Sequence, residues 1–380
     1  MRVPILPAAF ASLLALSTSV SAQITKAPAV KTKQAIKVET FAKGLVHPWG
    51  MAFLPDGRLL VTERPGRLRI VGKDGRLSAP LQGVPKVYAS GQGGLLDVQI
   101  GPDFATSSAV YLSYADPRDG SRNGTTVARG KLVGEGDGGR LDDVKAIFRQ
   151  EPSYSSGQHF GSRIVFTRDG SLFVTLGDRY SARDEAQNPA NHLGKLVRLM
   201  SDGSPYAGNP KKTGWRPEIW SIGHRNVQGA ALHPQTGKLW TIEHGARGGD
   251  EINVPEAGKN YGWPVITYGR DYSFLKIGEG TAKPGLEQPI YYWDPSIAPS
   301  GAAFYTGDRF PEWKGNLFVG ALAGQALHRL VLDGEKIVGE EKLLADLGER
   351  IRDVRNGPDG ALWLLTDSPE GRVLRVVPGN

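Results

Sequence analysis

Two residues at the ends of one stretch have the types and spacing to do chemistry together. In "GQHFGSRIVFTRDGSLFVTLGDR", residues 157–179, a histidine stands just ahead of one apolar run and an aspartate just behind the next. If the TRDG segment is a hairpin turn, residues whose numbers sum to about 337 lie opposite one another, and His159 faces Asp178. A carboxylate beside an imidazole fixes its tautomer and raises its basicity, as a general base requires. A His–Asp pair that only closes a sheet is the plainer reading, and for this stretch alone it is the preferred one.

Later stretches send more polar groups to the same place. "SIGHRNVQG" (221–229) precedes an apolar run and "EHGARGGDEIN" (243–253) follows its partner. Folding about PQTG, with sums of about 471, sets Arg225 near Ala246 and Asn226 near Gly245, beside His224 and Gln228. A glycine-rich loop can aim backbone carbonyls or N–H groups at a ligand. A tight turn would explain the glycines but not the Arg-Asn pair opposite them. In "ERIRDV" (349–354), Arg350 and Arg352 share one side of a strand and suit the carboxylates of a bound anion. "SGQGGLLD" (90–97) brings Gln92 to the same end. Asp250-Glu251, followed by "NYGWP" (260–264), reads either as oxygen ligands for a hard cation such as Ca²⁺ or as a surface turn. No Cys/His metal spacing, GxSxG elbow or phosphate loop is present, which leaves Ser/His/Asp hydrolysis little support.

The elements that must position these groups are hairpins. Apolar strand, tight turn and second apolar strand recur at 50–63, 97–116, 162–178, 229–245, 301–322 and 353–367, with Pro, Asp and Gly at the turns. Helical periodicity is nearly absent. Six such units predict an all-β fold, a six-bladed β-propeller with four-stranded antiparallel blades, rather than a two-sheet sandwich or two small barrels. Equivalent strand ends would then meet at one mouth of a central channel. The intervals 179–215 and 255–300 become loops inserted on a face of the propeller.

Composition bounds the setting. The chain has 380 residues, no Cys and a net charge of +7. A disulfide framework is excluded. Residues 1–22 read as an export signal, an arginine and an apolar run ending in Val20-Ser21-Ala22, too short for a membrane anchor. The mature protein would be periplasmic or secreted, with no stable membrane insertion. Residues 23–36 read as a basic, structureless linker, and 37–380 as the propeller. The basic residues are scattered, which favours a small polyanionic ligand over nucleic acid.

Taken together, "HPWGMAFLPDGRLLVTER", "GQGGLLDV", "QHFGSR", "LGD", "GHRNVQG", "EHGARGGDEIN", "NYGWP", "APSG" and "RIRDV" resemble, in order, the soluble quinoprotein glucose/sorbosone dehydrogenase family, and within it the PQQ-dependent aldose sugar dehydrogenases. The resemblance spans nearly all of 37–380. It implies a propeller holding pyrroloquinoline quinone (PQQ), a tricarboxylate, with Ca²⁺, and oxidation of an aldose at C1 with hydride transfer to the quinone. By the same resemblance His159 is the base, Asp178 orients it, and Arg225 and Asn226 contact the quinone. Arg350 and Arg352 pair with its carboxylates, and Gln92 and Gln158 line the sugar side. The carbonyls of Gly245 and Ala246 ligate the active-site Ca²⁺, Glu251 and Tyr261 a second, structural one, and Tyr272 and Trp293 wall the pocket.

Three departures stand out. Gln158 replaces an acidic residue of the glucose enzymes, Ala246 a proline, and Ala323 a cofactor-binding lysine. The first weakens the case for glucose itself. The last implies either a weaker hold on the quinone or another basic residue in the lysine's role. A Ca²⁺-dependent propeller lactonase and a non-catalytic binding propeller are the competing readings. Neither accounts for three arginines converging on His159. The preferred sugar and the electron acceptor are not legible.

Overall fold

A computed structural model describes residues 27–134 and 138–379. The expected signal segment, 1–22, lies outside the described residues. No helix among them is long and apolar enough to cross a membrane.

The strands run in chain order through six sheets. After β1 (Ile36–Leu45), the first sheet holds β2 (Pro48–Phe53), β3 (Leu59–Glu63) and β4 (Arg67–Val71). The second holds β5 (Leu95–Ile100), β6 (Ala109–Pro117), β7 (Asn123–Val133) and β8 (Arg140–Arg149). The third holds β9 (Gly161–Phe166), β10 (Leu172–Leu176), β11 (Lys195–Leu199) and β12 (Ile219–Ile222). The fourth holds β13 (Val227–Leu232), β14 (Leu239–Glu243), β15 (Asp250–Asn253) and β16 (Tyr291–Trp293). The fifth holds β17 (Pro299–Phe304), β18 (Leu317–Ala321), β19 (Ala326–Asp333) and β20 (Lys336–Leu343). The last holds β21 (Ile351–Asn356), β22 (Leu362–Thr366) and β23 (Gly371–Pro378), with β1 paired antiparallel to β23 as its outer strand.

The first strands of the sheets touch in a closed circuit, β2–β5–β9–β13–β17–β21–β2, so the sheets are blades around one axis. Five blades have four strands. Blade 1 has three, because after β4 the chain offers only a bridge from Val71 to Leu77 before crossing to blade 2. The large apolar clusters each lie between neighbouring blades: Leu60, Leu68 and Val98 between blades 1 and 2, Trp240, Phe304 and Val319 between blades 4 and 5. Each blade is therefore covered on both faces. That is why β3, β10, β14, β18 and β22 are buried at every residue and read as continuous apolar runs.

A shared irregularity shapes the mouth. The pairing of the two innermost strands slips in every blade, near 48–51, 95–98, 161–164, 227–229, 299–302 and 351–353. Such bulges twist a strand and re-aim its end. The residues two places after the start of each slip are equivalent around the axis: Gly50, Asp97, Arg163, Gly229, Gly301 and Asp353. Arg163 reaches Asp97 at 2.9 Å and Asp353 at 3.1 Å, and Arg355 reaches both carboxylates at 3.2 Å. These two pairs of opposite charge cross the axis, and the glycines give them room, since a Cβ on Gly50 would lie 2.7 Å from Asp97 Oδ1. Hydroxyls stitch the inner strands together. Thr175 accepts the Arg163 N–H (2.9 Å) and donates to Val227 O in the next blade (2.8 Å), and Ser113 does likewise between Asp97 and Ser162.

The linker expectation fails from Ala27 onward. Ala27 is buried against the core between blades 4 and 5 and Ala29 bridges Glu340. The Thr32 hydroxyl and N–H both donate to Glu341 at 2.6 Å. This stretch covers the outer edge of blade 5, whose β20 would otherwise present unpaired backbone.

Candidate active site

The bulged ends of the inner hairpins deliver His159 and Asp178 face to face, as the turn arithmetic requires. Leu176 pairs with Gly161, and His159 Nδ1 lies 2.6 Å from Asp178 Oδ1. Asp178 is saturated: Oδ1 also accepts the Tyr180 N–H at 2.8 Å, and Oδ2 the Trp263 indole N–H at 2.7 Å. With a carboxylate at Nδ1, the proton belongs on that nitrogen and Nε2 keeps its lone pair. The backbone here is strained. His159, Arg179 and Tyr180 have φ of +51°, +61° and +68°, a region bulky L-residues seldom adopt. The surroundings hold it: Gln92 Oε1 accepts the His159 N–H at 2.9 Å, and the buried Arg179 guanidinium donates to the His159 carbonyl at 3.4 Å.

His159 is 5% exposed and borders a cleft of about 360 Å³, together with Asp178, Tyr180, Arg225, Trp263 and Tyr272. Burial lowers its pKa below the usual histidine value, and the Arg225 charge adds to this while Asp178 opposes it. The imidazole is thus neutral near pH 7 and free to accept a proton. The inserted loops complete the rim with Arg183 and Asp184 from one side and Asp271 from the other, Arg183 and Asp271 being 3.5 Å apart. A larger hollow, about 760 Å³, opens at the other end of the channel, lined by residues such as Ala52, Ala230 and Ala302, without a titratable pair.

Arg225 sits one position from its expected place. The slip between Val227 and Gly229 sets it against Gly245, and it donates to the carbonyls of His244 (3.1 Å) and Gly245. Asn226 Oδ1 accepts the Gly161 N–H at 3.1 Å, while its Nδ2 is buried without a partner. His224 turns inward instead, bonded to Ser221 and Glu243 and stacked on Tyr261. Arg350 and Arg352 do share one side, both reaching Asp367, at 3.3 and 2.7 Å. Arg352 also donates to Gln228 Oε1 at 2.7 Å. Burial works to raise the Asp367 pKa, but Arg352, Arg64 and Arg350 outweigh it and hold the carboxyl well below its usual range. Three guanidiniums around one carboxylate leave positive charge over. Buried Nε atoms of Arg64, Arg225 and Arg352 have no partner among the described residues. Ala323 lies exposed in the turn after β18 whose Leu322 carbonyl accepts from Arg350, so it stands at this rim as well.

Several expectations need correction. Trp293 is fully buried, donating to Glu340 at 2.8 Å in the core between blades 4 and 5, and forms no pocket wall. In β16 the alternation sends Tyr291 and Trp293 inward and leaves Tyr292 to stack on Tyr268 at 3.9 Å. Gln158 is exposed, and Gln92 serves the His159 backbone; neither borders the cleft. The Gly245 carbonyl, expected to face a cation, is occupied by Arg225, and both Asp250 oxygens are used by Gly245, Ser296, Ile297 and Ala298. Ala246 borders the cleft, its methyl packed with Trp263 and Ile277. No cluster of three or more His, Cys, Asp or Glu side chains suited to a metal occurs among the described residues.

Glu251 differs. Its carboxyl is pushed well above the usual range, first by burial and then by the neighbouring Glu243, both sharing the Asn253 amide at 3.3 and 3.0 Å. A buried carboxylate and a half-buried one with a single amide between them are what a hard cation relieves. The Tyr261 hydroxyl is engaged by Val254 O and the Glu256 N–H, which leaves its backbone carbonyl to offer.

Known proteins resemble this chain over most of its length. A model of the family described as Glucose / Sorbosone dehydrogenase matches residues 45–375. The aldose sugar dehydrogenase YliI of Escherichia coli K12 is 48% identical over 350 residues, 91% of this chain and 94% of that protein. The crystal structure of the soluble aldose sugar dehydrogenase of E. coli, in the apo form, superimposes with a TM-score of 0.88 at 47% identity, covering 91% of this chain and all of the other. The PQQ-bound form of the aldose sugar dehydrogenase from Streptomyces coelicolor gives 0.76 at 30% identity, covering 92% and 100%.

Proposed function

The chain belongs to the glucose/sorbosone dehydrogenase family, and from that premise we propose that it is a PQQ-dependent aldose sugar dehydrogenase in which His159 is the base. The observation that carries the proposal is a buried imidazole, its Nδ1 tied to Asp178, bordering a cleft that Arg225 also lines.

His159 Nε2 takes the proton of the sugar C1 hydroxyl, while the C1 hydrogen leaves with its electron pair and the C1–O bond becomes the lactone carbonyl. PQQ, when bound, supplies the acceptor for that hydride. Arg225 offers a fixed positive charge where negative charge develops, already in place and so at little reorganisation cost. Asp178 keeps the imidazole turned and stabilises it once protonated. The arginines fit a tricarboxylate: Arg64, Arg350 and Arg352 surround Asp367 and Arg225 borders the His159 cleft, with buried N–H groups unpartnered among the described residues on Arg64, Arg225, Asn226 and Arg352.

For calcium the fit is divided. Glu251 with Glu243 suits a structural Ca²⁺. At Gly245 and Ala246 the chain offers only backbone carbonyls, one of them already accepting from Arg225, and no step is assigned to a cation there. Export after cleavage behind Ala22, into the periplasm or medium, completes the proposal, and N-terminal sequencing of the mature protein tests it.

The deciding experiment is reconstitution of purified protein with PQQ and Ca²⁺, followed by dye reduction across a panel of aldoses. Saturable quinone uptake with aldose-dependent reduction is expected. Absence of both overturns the proposal.

A further inference from the structure

The "NYGWP" segment carries a cation ligand by resemblance, yet its tryptophan does something else. Trp263 is 7% exposed and held at both ends of its backbone: its N–H donates to Gly223 O at 3.0 Å, and its carbonyl accepts from the Gln187 amide at 2.7 Å. Gln187 is itself paired with Asn260 at 2.7 Å. The indole therefore has little freedom. It directs its N–H at Asp178 Oδ2, 2.7 Å away, and one ring face toward the Arg225 guanidinium, 5.2 Å from the centroid. The loop at 260–264 thus reaches 85 residues back along the sequence to grip the carboxylate that grips the base.

A carboxylate held by one oxygen can turn about its Cβ–Cγ bond. Asp178 Oδ1 serves both the His159 ring and the Tyr180 N–H, and only Trp263 engages Oδ2 through a side chain. We propose that Trp263 is a positioning residue: its indole N–H locks the rotation of Asp178, so that Oδ1 faces His159 Nδ1 and the free lone pair of Nε2 stays directed at the cleft. The unit is then a Trp–Asp–His relay drawn from blade 3 and a loop inserted in blade 4. The reaction it serves rests on His159 being the base; the hydrogen-bond geometry does not.

The test separates the two. In ¹⁵N-histidine-labelled protein without quinone, the His159 resonances, identified by their loss in His159→Gln, report which ring nitrogen carries the proton. Wild type is expected to show a single Nδ1–H tautomer with a downfield, slowly exchanging proton. Trp263→Phe, which keeps a ring under Arg225 but removes the N–H, is expected to speed that exchange and populate the second tautomer. In the PQQ-loaded enzyme kcat should fall by about 10- to 100-fold, with KM for the aldose changed less than about twofold. Should Trp263→Phe fold poorly, benzothienylalanine at position 263 replaces only the N–H by sulfur and keeps the shape. An unchanged tautomer and exchange rate in either variant would overturn the proposal. If the relay signature disappears as expected while wild type with PQQ oxidises no aldose, the positioning role stands and the dehydrogenase reading falls.

Discussion

Two of the molecule's histidine–carboxylate pairs have nearly equal geometry and opposite surroundings. His159 meets Asp178 at 2.6 Å at the mouth of blade 3, and His328 meets Glu340 at 2.7 Å on the outer half of blade 5. Both imidazoles are buried and both bond through Nδ1. Glu340, however, also accepts from the Trp293 indole and the Tyr291 hydroxyl. Its backbone meanwhile pairs with Pro28 and Val30, so the pair fastens blade 4, blade 5 and the segment beginning at Ala27. His328 Nε2 is enclosed and unpartnered. His159 borders a cleft with arginine charge beside it. The pairing motif is thus no mark of catalysis by itself; access and the surrounding field decide its role.

The strongest way to break this contrast is to remove each histidine in turn. His159→Ala should lower turnover by about 10²- to 10⁴-fold while quinone binding, followed by titration, persists. His328→Ala should leave turnover nearly intact and cost about 1–3 kcal/mol of stability in urea denaturation, because Glu340 loses a donor and the core gains a void. Reversed outcomes would abolish the distinction.

A second contrast concerns arginines of one strand. Arg352 lies at the surplus-charge basin, Arg355 in the axial network with Asp97 and Asp353. Arg352→Ala should weaken quinone affinity by roughly 10- to 100-fold, the worth of a charge-assisted bond. Arg355→Ala should change that affinity little and lower the melting temperature, since it leaves buried carboxylates undercompensated. Equal effects on binding would show that the basin and the network act as one.

The smallest effect sought is in pH dependence. Burial and Arg225 lower the His159 pKa, so the imidazole stays neutral below the ordinary histidine value of about 6.5. Activity should therefore persist into mildly acidic solution and fail only as His159 protonates. Arg225→Gln removes a cause of the lowering and should move the acid limb of the rate profile to higher pH. Stability has a related slope. His244, half-buried near Arg225, is pushed down to about 3, so between about 6.5 and 3 the unfolded chain binds a proton the folded one refuses. Stability should decline as pH falls through that window, less steeply in His244→Gln, as followed by denaturant titration.

What is legible in the sequence follows from which interactions are local. His159 opposite Asp178 requires only a turn and alternation along one hairpin. Turn arithmetic misses Arg225 opposite Gly245 by one residue, because the bulge at 227–229 breaks that alternation and leaves no mark in composition. It misplaces Trp293 because the side of β16 that faces a pocket depends on Glu340, 47 residues away. Arg64, Asp367 and Trp263 carry no local signal as site residues, since each reaches the mouth from a separate blade or loop, and nothing in its own neighbourhood marks an arrival point. The three-stranded first blade and the ordered segment from Ala27 have the same origin: both depend on what the adjacent sheet leaves uncovered.

The pairing of β1 with β23 has a consequence in time. Residues 36–45 are synthesised long before their partners, 371–378. Until they arrive β1 has no sheet to join, and the basin lacks Arg350, Arg352 and Asp367, all from that final blade. The first five blades can be made without any competent site, and the chain must hold an unclosed ring with two exposed blade faces until residues 371–378 are available. Closing so long a loop is slow, and the open intermediate is the species most exposed to aggregation or proteolysis. Activity should thus appear abruptly with completion of the ring, and shortening the chain before residue 371 should yield not a weak enzyme but none.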